Sequence, residues 1–222
     1  MIKLEFVDVF YSVVLLGGFN PMNFHPFWLL QKKLISEIDV TEKQILVNDQ
    51  LSTYHVGDWL DMTVTRNRCE FKIKKEERVI MMRDLIVGTL NALPEMPITA
   101  IGINRGSVYN LANEYSYYEF GAQLAPLNKW EPSFHNPRLR NIAIEDIGSE
   151  SFKDKRRMIQ IKPAEVKGLQ YCVDFNINNH YDLVNVGQTV PKALSILTHN
   201  MESDFDTFQH IIDALVLKMN EK

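Results

Sequence analysis

The chain has 222 residues, of which 45% are hydrophobic and 23% charged, and its formal net charge is −4 at pH 7. These proportions are typical of a globular protein with enough apolar residues for a substantial core. The acidic balance argues against a nucleic-acid partner, because binding to phosphates needs a local excess of lysine and arginine. No stretch approaches the roughly 20 apolar residues of a membrane span, so we expect no membrane association.

The start of the chain and its cysteines indicate a reduced, cytoplasmic protein. Glu5 and Asp8 interrupt the apolar N-terminal stretch, which excludes a secretory signal. Only Cys69 and Cys172 carry thiols, and two cysteines cannot build a disulfide framework or, by themselves, a four-ligand zinc site. We therefore expect a cytoplasmic protein without a cofactor.

Strand and helix patterns alternate in the first half of the chain. Helical spacing of apolar residues predicts helices over 25–38 and 79–93, the second ended by Pro94. Alternation of apolar and polar residues, with turn residues between, predicts strands. The predicted strands are 4–16, 44–56, 59–65, 68–74 and 98–109.

The second half predicts three further strands and a long closing helix. The strands are 139–147, 156–163 and 169–178, and a helix is predicted within 190–219. Apolar residues recur along that helix at steps of three and four: Leu194, Leu197, Met201, Phe205, Phe208, Ile212, Leu215 and Met219. Such a stripe must cover a sheet or a partner helix, since left exposed it would promote aggregation.

Both halves predict two or three strands followed by a helix. We therefore expect an α+β protein of two layers, with helices on one face of a mainly antiparallel sheet. The chain is predicted to form a single globular domain over 1–222, composed of two similar β-β-(β)-α halves. The halves would be 1–110 and 139–222, joined by 111–138, and would reflect an internal duplication.

The segment GGFNPMNFH (17–25) follows an apolar strand and precedes a helical pattern. Gly17, Phe19, Asn20, Pro21 and His25 resemble the first signature of the HxGH class of nucleotidyltransferases. The resemblance covers nine residues, and Phe24 stands where that family has glycine. It implies a nucleotide-binding enzyme that uses backbone amides and histidine against phosphate.

In this interpretation Asn20 and His25 contact phosphate, at a site formed with Gly17 and Gly18. It requires the preceding strand to be central in a parallel sheet and the helix start at residue 25 to be open. The alternative is a structural turn: glycines at a tight bend, an Asn-Pro turn pair, and aromatic residues that pack the turn against the sheet.

A second possible site spans the predicted hairpin. Asp61, Glu70 and Lys72 follow the loosest form of the PD-(D/E)xK nuclease signature, in which two carboxylates hold a divalent metal and the lysine assists a water. The alternative is that these residues are the ordinary polar side of an alternating strand. None of the six histidines shows the His-x-x-x-His spacing of a helical zinc site.

The linking region 111–138 is unusually aromatic. Tyr115, Tyr117 and Tyr118 occur close together, and Trp130 follows. Such residues are typical of protein interfaces, but they could also fill the junction between the two halves. Because no catalytic set is complete, the leading prediction is a non-enzymatic interaction module. It would act as an accessory subunit of a prokaryotic-style cytosolic assembly and bind a protein partner or a second copy of itself.

Overall fold

The computed structural model describes residues 1–40, 45–131, 133–147, 155–183 and 189–221. Within these ranges the chain forms nine β-strands and five α-helices. The strands are β1 (Leu4–Gly17), β2 (Leu46–Val47), β3 (Leu51–Val56), β4 (Leu60–Thr65), β5 (Arg68–Ile73), β6 (Ile98–Leu111), β7 (Ile142–Asp146), β8 (Lys155–Val166) and β9 (Leu169–Asp182). The helices are α1 (Pro26–Gln31), α2 (Val79–Ala92), α3 (Glu114–Leu124), α4 (Thr189–His199) and α5 (Met201–Asn220).

All nine strands belong to one antiparallel sheet. Their order is β2-β3-β4-β5-β1-β6-β9-β8-β7, so the long strands β1 and β6 lie together at its centre. The helices pack on one face of this sheet. The predicted α+β fold, with two layers and a mainly antiparallel sheet, is therefore confirmed.

Alternation along each strand decides which face the helices cover. In β5, Cys69, Phe71 and Ile73 are at most 1% exposed, while the residues between them are partly or fully exposed. The neighbouring strands show the same alternation of buried and exposed residues, because residues paired across strands point to the same face of the sheet. One face therefore carries a continuous apolar surface, and burying it against helices drives the assembly of the two layers.

The apolar stripe predicted near the C-terminus belongs to this core. Phe205, Phe208 and Ile212 are at most 3% exposed and contribute to the two buried clusters beneath the helices. The predicted single helix is wrong in one respect, since it divides into α4 and α5 at Asn200. Thr198, His199 and Asn200 have low helix propensity, and the break lets α4 pack on α2 while α5 reaches β6.

Two other helix predictions need correction. The helix expected over 25–38 is confined to Pro26–Gln31, because Lys33 adopts a left-handed backbone with φ of 57° that ends it. Helix α3 is not predicted at all by the residue pattern. Its tyrosines favour strands, but Asn113 caps the helix by accepting a hydrogen bond from the Ser116 amide at 2.9 Å.

A charged group is buried on the covered face near the start of α5. Asp204 is 2% exposed and accepts a hydrogen bond from the Tyr181 hydroxyl at 2.6 Å. Its other carboxylate oxygen accepts from Lys155, at the start of β8. Burial and the hydrogen bond to Asp204 raise the pKa of Tyr181. The charge of Asp204 is thus compensated inside the core.

Two stretches of the chain have a similar order of elements: a strand, a helix, further strands and a helix. The first stretch comprises β1, α1, β2 to β5 and α2, and the second comprises β6, α3, β7 to β9 and α4, with one strand fewer. In each stretch the first strand lies beside the last, as β1 beside β5 and β6 beside β9. The second stretch begins at β6, inside the first of the predicted halves 1–110 and 139–222. That division, and a duplication of the sequence itself, stay predictions.

Candidate functional site

The GGFNPMNFH turn is held by backbone hydrogen bonds to neighbouring segments. The amides of its first three residues donate to carbonyls at 3.2, 3.0 and 2.8 Å: Gly17 to Asn67, Gly18 to Pro97 and Phe19 to Arg66. A Cβ at Gly17 would lie 2.0 Å from the Pro97 carbonyl oxygen, so only glycine allows this close approach. A phosphate cradle uses free amides, whereas these three hold the strand ends together.

The two polar side chains of the turn act as local caps. The side-chain oxygen Oδ1 of Asn20 accepts a hydrogen bond from the Met22 amide at 3.1 Å, and His25 Nδ1 accepts one from the Phe27 amide at 3.2 Å. Phe24 is 2% exposed and closes the turn against the core. The strand before the turn is central, as the nucleotide interpretation requires, but its sheet is antiparallel. Nucleotide binding at this turn therefore gains no support from the geometry and stays a prediction.

A cleft of about 400 Å³ lies beside the turn, between it and the end of α2. Its walls are mostly apolar, with Phe19, Phe24 and Met96 among them. Within the described residues, Glu95 is the one charged side chain that lines it. A carboxylate repels phosphate, so this cleft does not favour a nucleotide either.

Asp61, Glu70 and Lys72 lie on one face of neighbouring strands. Asp61 is directly opposite Lys72, and Glu70 is opposite Thr63. Each carboxylate is paired with another residue, Asp61 with His55 and Glu70 with Arg68 at 3.2 Å. Within the described ranges, no group of three or more His, Cys, Asp or Glu residues could hold a metal ion. The metal-dependent nuclease stays a prediction that the pairing does not favour.

The predicted aromatic interface lies mainly on α3. Tyr115 is 76% exposed, and the Tyr117 ring contacts the Tyr118 and Tyr171 rings at 5.8 and 6.0 Å. Trp130 lies further along the chain and is also largely exposed. Helix α3 packs across β6 and β9, where Phe120 enters the core and Tyr117 packs against it partly buried. An interface role for Tyr115, Tyr117, Tyr118 and Trp130 stays a prediction.

The sheet face opposite the helices carries a polar site that no predicted motif indicates as a whole. Within the described residues no helix packs on it. We call it the open face and define it by six side chains around one depression of about 330 Å³: Ser12, Glu70, Lys72, Asn104, Asn178 and His180. These residues come from β1, β5, β6 and β9, the four central strands of the sheet.

Strand register places the open-face residues in two rows. Lys72, Ser12, Asn104 and Asn178 are successive cross-strand partners in the first row. Glu70 and His180 lie at the two ends of the next row, separated by Val14 and Gly102, which are its middle members. Because Gly102 has no side chain, the floor of the depression is low between Asn178 and Asn104.

Several polar atoms of this face are buried although no helix covers it. Ser12 is 2% exposed, and its hydroxyl accepts from the Asn104 amide group at 3.3 Å. Oδ1 of Asn178 and Oδ1 of Asp174 are buried and, within the described residues, accept no hydrogen bond. A buried acceptor without a donor costs about 1–3 kcal/mol, so such atoms need a functional or structural reason.

Lys72 is held above the depression by an aromatic ring. The Phe10 ring lies against Gly106, where an added Cβ would approach it to 2.1 Å. Lys72 Nζ lies 4.5 Å from the centre of the same ring, a favourable cation–π distance. Among the described side chains, no carboxylate lies within ion-pair distance of Lys72. The site therefore presents one positive charge without a carboxylate partner.

His180 is oriented by a charged pair at the rim. Its Nε2 donates to Asp182 at 2.9 Å, and Asp182 also contacts Arg156 at 3.2 Å. The cross-strand neighbours of His180 are Gly102 and Arg156, and neither is a nucleophile. The arrangement fixes the imidazole ring as a hydrogen-bonding group facing the depression.

Asp174 lies on β9 four residues before Asn178 and on the same face of the sheet, and its side chain is 17% exposed. Burial raises the pKa of its carboxyl, and the positive charges of Lys162 and Lys72 offset part of that rise. Lys162 Nζ lies 3.6 Å from Asp174 Oδ2, so one oxygen of the carboxylate is paired and the other is not.

The polar residues of β9 are the sequence feature that indicates this face, and the motifs described above do not include them. In β9 the apolar positions Tyr171, Val173, Phe175 and Ile177 share the covered face. The positions that alternate with them include Asn176, Asn178 and His180, whose short side chains form hydrogen bonds at neutral pH. A solvated strand face more often carries lysine and glutamate, which this stretch lacks.

No protein-family model matches the chain, and no curated protein matches it. Its own geometry is therefore the ground for a functional proposal. Among the helices of the described ranges, none combines the length and the apolar run required to cross a membrane.

Proposed function

We propose that this protein is a non-enzymatic interaction module, an accessory subunit of a cytoplasmic assembly, and that its open face binds the protein partner. One observation carries the proposal: the side of β9 that no described helix covers contains buried acceptor atoms, on Asn178 in the open face and on Asp174 four residues before it, and neither atom has a donor among the described residues. A partner that supplies amide or hydroxyl donors would remove the cost of leaving them unpaired.

The charge of this face favours a protein over a nucleic acid. Its charged side chains are mostly paired within the sheet: Arg68 with Glu70, Arg156 with Asp182, and Lys162 with Asp174. Nucleic-acid binding draws its affinity from cations that neutralise phosphates, and such cations must be free. A surface of paired charges and amides is instead complementary to the mixed polar surface of a folded protein.

The amide side chains of the depression favour a binding role for it. Asn104 and Asn178 offer amide groups that donate and accept hydrogen bonds but do not transfer protons at neutral pH. The apolar stripe of α4 and α5 does not contribute to the proposal, because it is buried against the sheet. The open face is a polar surface shared by four central strands.

The test is affinity purification of the tagged protein from its native host, with quantitative mass spectrometry. Wild type should retain one protein in stoichiometric amount, and Asn178→Lys, which places a long cation in the depression, should lose it. Asn91→Lys on the exposed side of α2 is the matched control and should retain the partner. Circular dichroism first establishes that both variants are folded.

Three outcomes would contradict the proposal. One is equal retention of the partner by wild type and Asn178→Lys. Another is sedimentation of wild type as a dimer that Asn178→Lys dissociates, which would make the open face a contact between copies. The third is a co-purifying nucleotide that is lost in His25→Ala, which would support the nucleotidyltransferase-like alternative instead.

A further inference from the structure

A separate cavity lies at the edge of the sheet, away from the open face. It is bounded by α3, by residues within 127–131 and 136–139, and by β8 at residues 161–163, and its volume is about 270 Å³. Strand β7 begins its pairing with β8 at Ile142 opposite Ile161, so Lys162 and Pro163 lie beyond the end of β7. The cavity occupies the space that a longer β7 would cover.

The inner wall of this cavity is apolar. Phe120, Ile161 and Val173 are at most 4% exposed and form part of the lining. Leu139 packs on α3, since a Cβ at Gly121 would lie 3.3 Å from the Leu139 Cβ. The cavity is lined mainly by carbon, which favours an apolar ligand body.

The mouth of the cavity is positively charged. Arg138 Cζ lies 4.2 Å from the centre of the Tyr118 ring, and no carboxylate of the described residues forms an ion pair with this guanidinium. Lys162 also lines the cavity but is shared with Asp174, and Glu131 is the acidic residue of the lining. The positive charges of Arg140 and Arg138 also act on Tyr117, where they partly offset the rise in pKa caused by burial.

We propose that this cavity binds a small amphiphilic acid, with an apolar body of roughly ten non-hydrogen atoms and one carboxylate. The body lies against Phe120, Ile161 and Val173, and the carboxylate is received by Arg138. A planar guanidinium stacked on an aromatic ring keeps its outer N–H groups available for a two-point hydrogen bond to carboxylate. This binding site is distinct from the open face, and Lys162 is the residue that connects the two, since it lines the cavity and also pairs with Asp174.

The probe for this site is octanoate, with octanol as its uncharged counterpart. Isothermal titration calorimetry of the full chain should show saturable binding of one octanoate, and octanol should bind at least tenfold more weakly. Arg138→Gln should weaken octanoate binding by about tenfold or more, while Arg138→Lys should retain part of it. Arg66→Gln, at an exposed arginine outside the cavity, is the matched control and should bind as wild type.

A second variant tests the apolar half of the site independently of charge. Ala122 lines the cavity from the exposed side of α3, so Ala122→Phe should fill the space and abolish binding without disturbing the core. The proposal is overturned if wild type fails to bind octanoate at millimolar concentration. It is also overturned if octanol binds as tightly as octanoate, or if Arg138→Gln or Ala122→Phe binds like wild type.

Discussion

The two faces of the sheet are built by alternate residues of the same strands, yet they treat polar groups differently. On the covered face, Val13, Leu15 and Ile103 are fully buried, and the buried carboxylate of Asp204 has partners for both oxygens. Buried polar atoms without a partner among the described residues occur on both faces. On the covered face they include the hydroxyls of Tyr11 and Ser107, whereas on the other face they are the acceptor oxygens Oδ1 of Asn178 and Oδ1 of Asp174. Acceptor oxygens of this kind are satisfied by a partner that donates hydrogen bonds.

The largest expected effect comes from an apolar residue of the covered face. Phe208→Ala should lower the free energy of unfolding by about 3–5 kcal/mol, because it removes a fully buried ring and leaves a cavity. Phe6→Ala, at a 60% exposed ring, is the matched control and should cost less than about 1 kcal/mol. Urea denaturation measures both. Similar losses in the two variants would show that the C-terminal stripe is not the core.

The next effect concerns the compensated charge of the covered face. Asp204→Ala should cost about 3–5 kcal/mol, because Lys155 and the Tyr181 hydroxyl lose their acceptor while remaining largely buried. Combining Asp204→Leu with Lys155→Met should recover most of that stability, since the pair is replaced by apolar contact. Urea denaturation measures the free energy of unfolding of the single variants and of the double variant. A double variant no more stable than Asp204→Ala would contradict a paired, satisfied charge.

The smallest effect is a pH dependence on the open face. Burial raises the pKa of Asp174, so the folded chain holds this proton more tightly than the unfolded chain. Its ionisation therefore lowers stability as pH rises from the ordinary carboxyl range, near about 4, through the folded pKa. Asp174→Asn should raise the melting temperature more at pH 7 than at pH 3.5.

An exposed carboxylate provides the control of opposite sign. Lys75 lowers the pKa of Asp58 through a hydrogen bond and its charge, so the contribution of Asp58 is present at neutral pH and lost as pH falls. Asp58→Asn should therefore lower the melting temperature at pH 7, and only slightly because the group is exposed. A gain for Asp174→Asn that is equal at both pH values would contradict the raised pKa that burial gives this carboxyl.

Secondary structure with strong periodicity was predictable, and capped or interrupted segments were not. The strands around Cys69 to Ile73 and Tyr171 to Ile177 follow from alternation, and α2 follows from apolar spacing. Helix α3 escaped prediction because its tyrosines favour strands and its stability comes from the Asn113 cap and the burial of Phe120. The low helix propensity of Thr198, His199 and Asn200 permits a break, but the packing of α4 on α2 and of α5 on β6 is not encoded in the local pattern.

The candidate site was the least predictable part. The turn at 17–25 resembles a binding motif because glycine, asparagine and histidine serve both phosphate and backbone turns, and here their polar atoms hold the turn itself. Asp61, Glu70 and Lys72 lie on one face of neighbouring strands, which the alternation of each strand predicts. Asn104 and Asn178 are distant from them in sequence, so their position on the same face of the sheet follows only from the order of the strands.

The sequence by itself determined the α+β class, the alternation of each strand and the apolar stripe at the C-terminus, because these depend on short repeating patterns of side-chain polarity. Only the tertiary structure decided that β1 and β6 are the central pair, since strand order depends on contacts between residues far apart in the chain. That order brings Ser12, Lys72, Asn104 and Asn178 into one row. The open face is therefore a product of topology, acting on residues whose local patterns are ordinary.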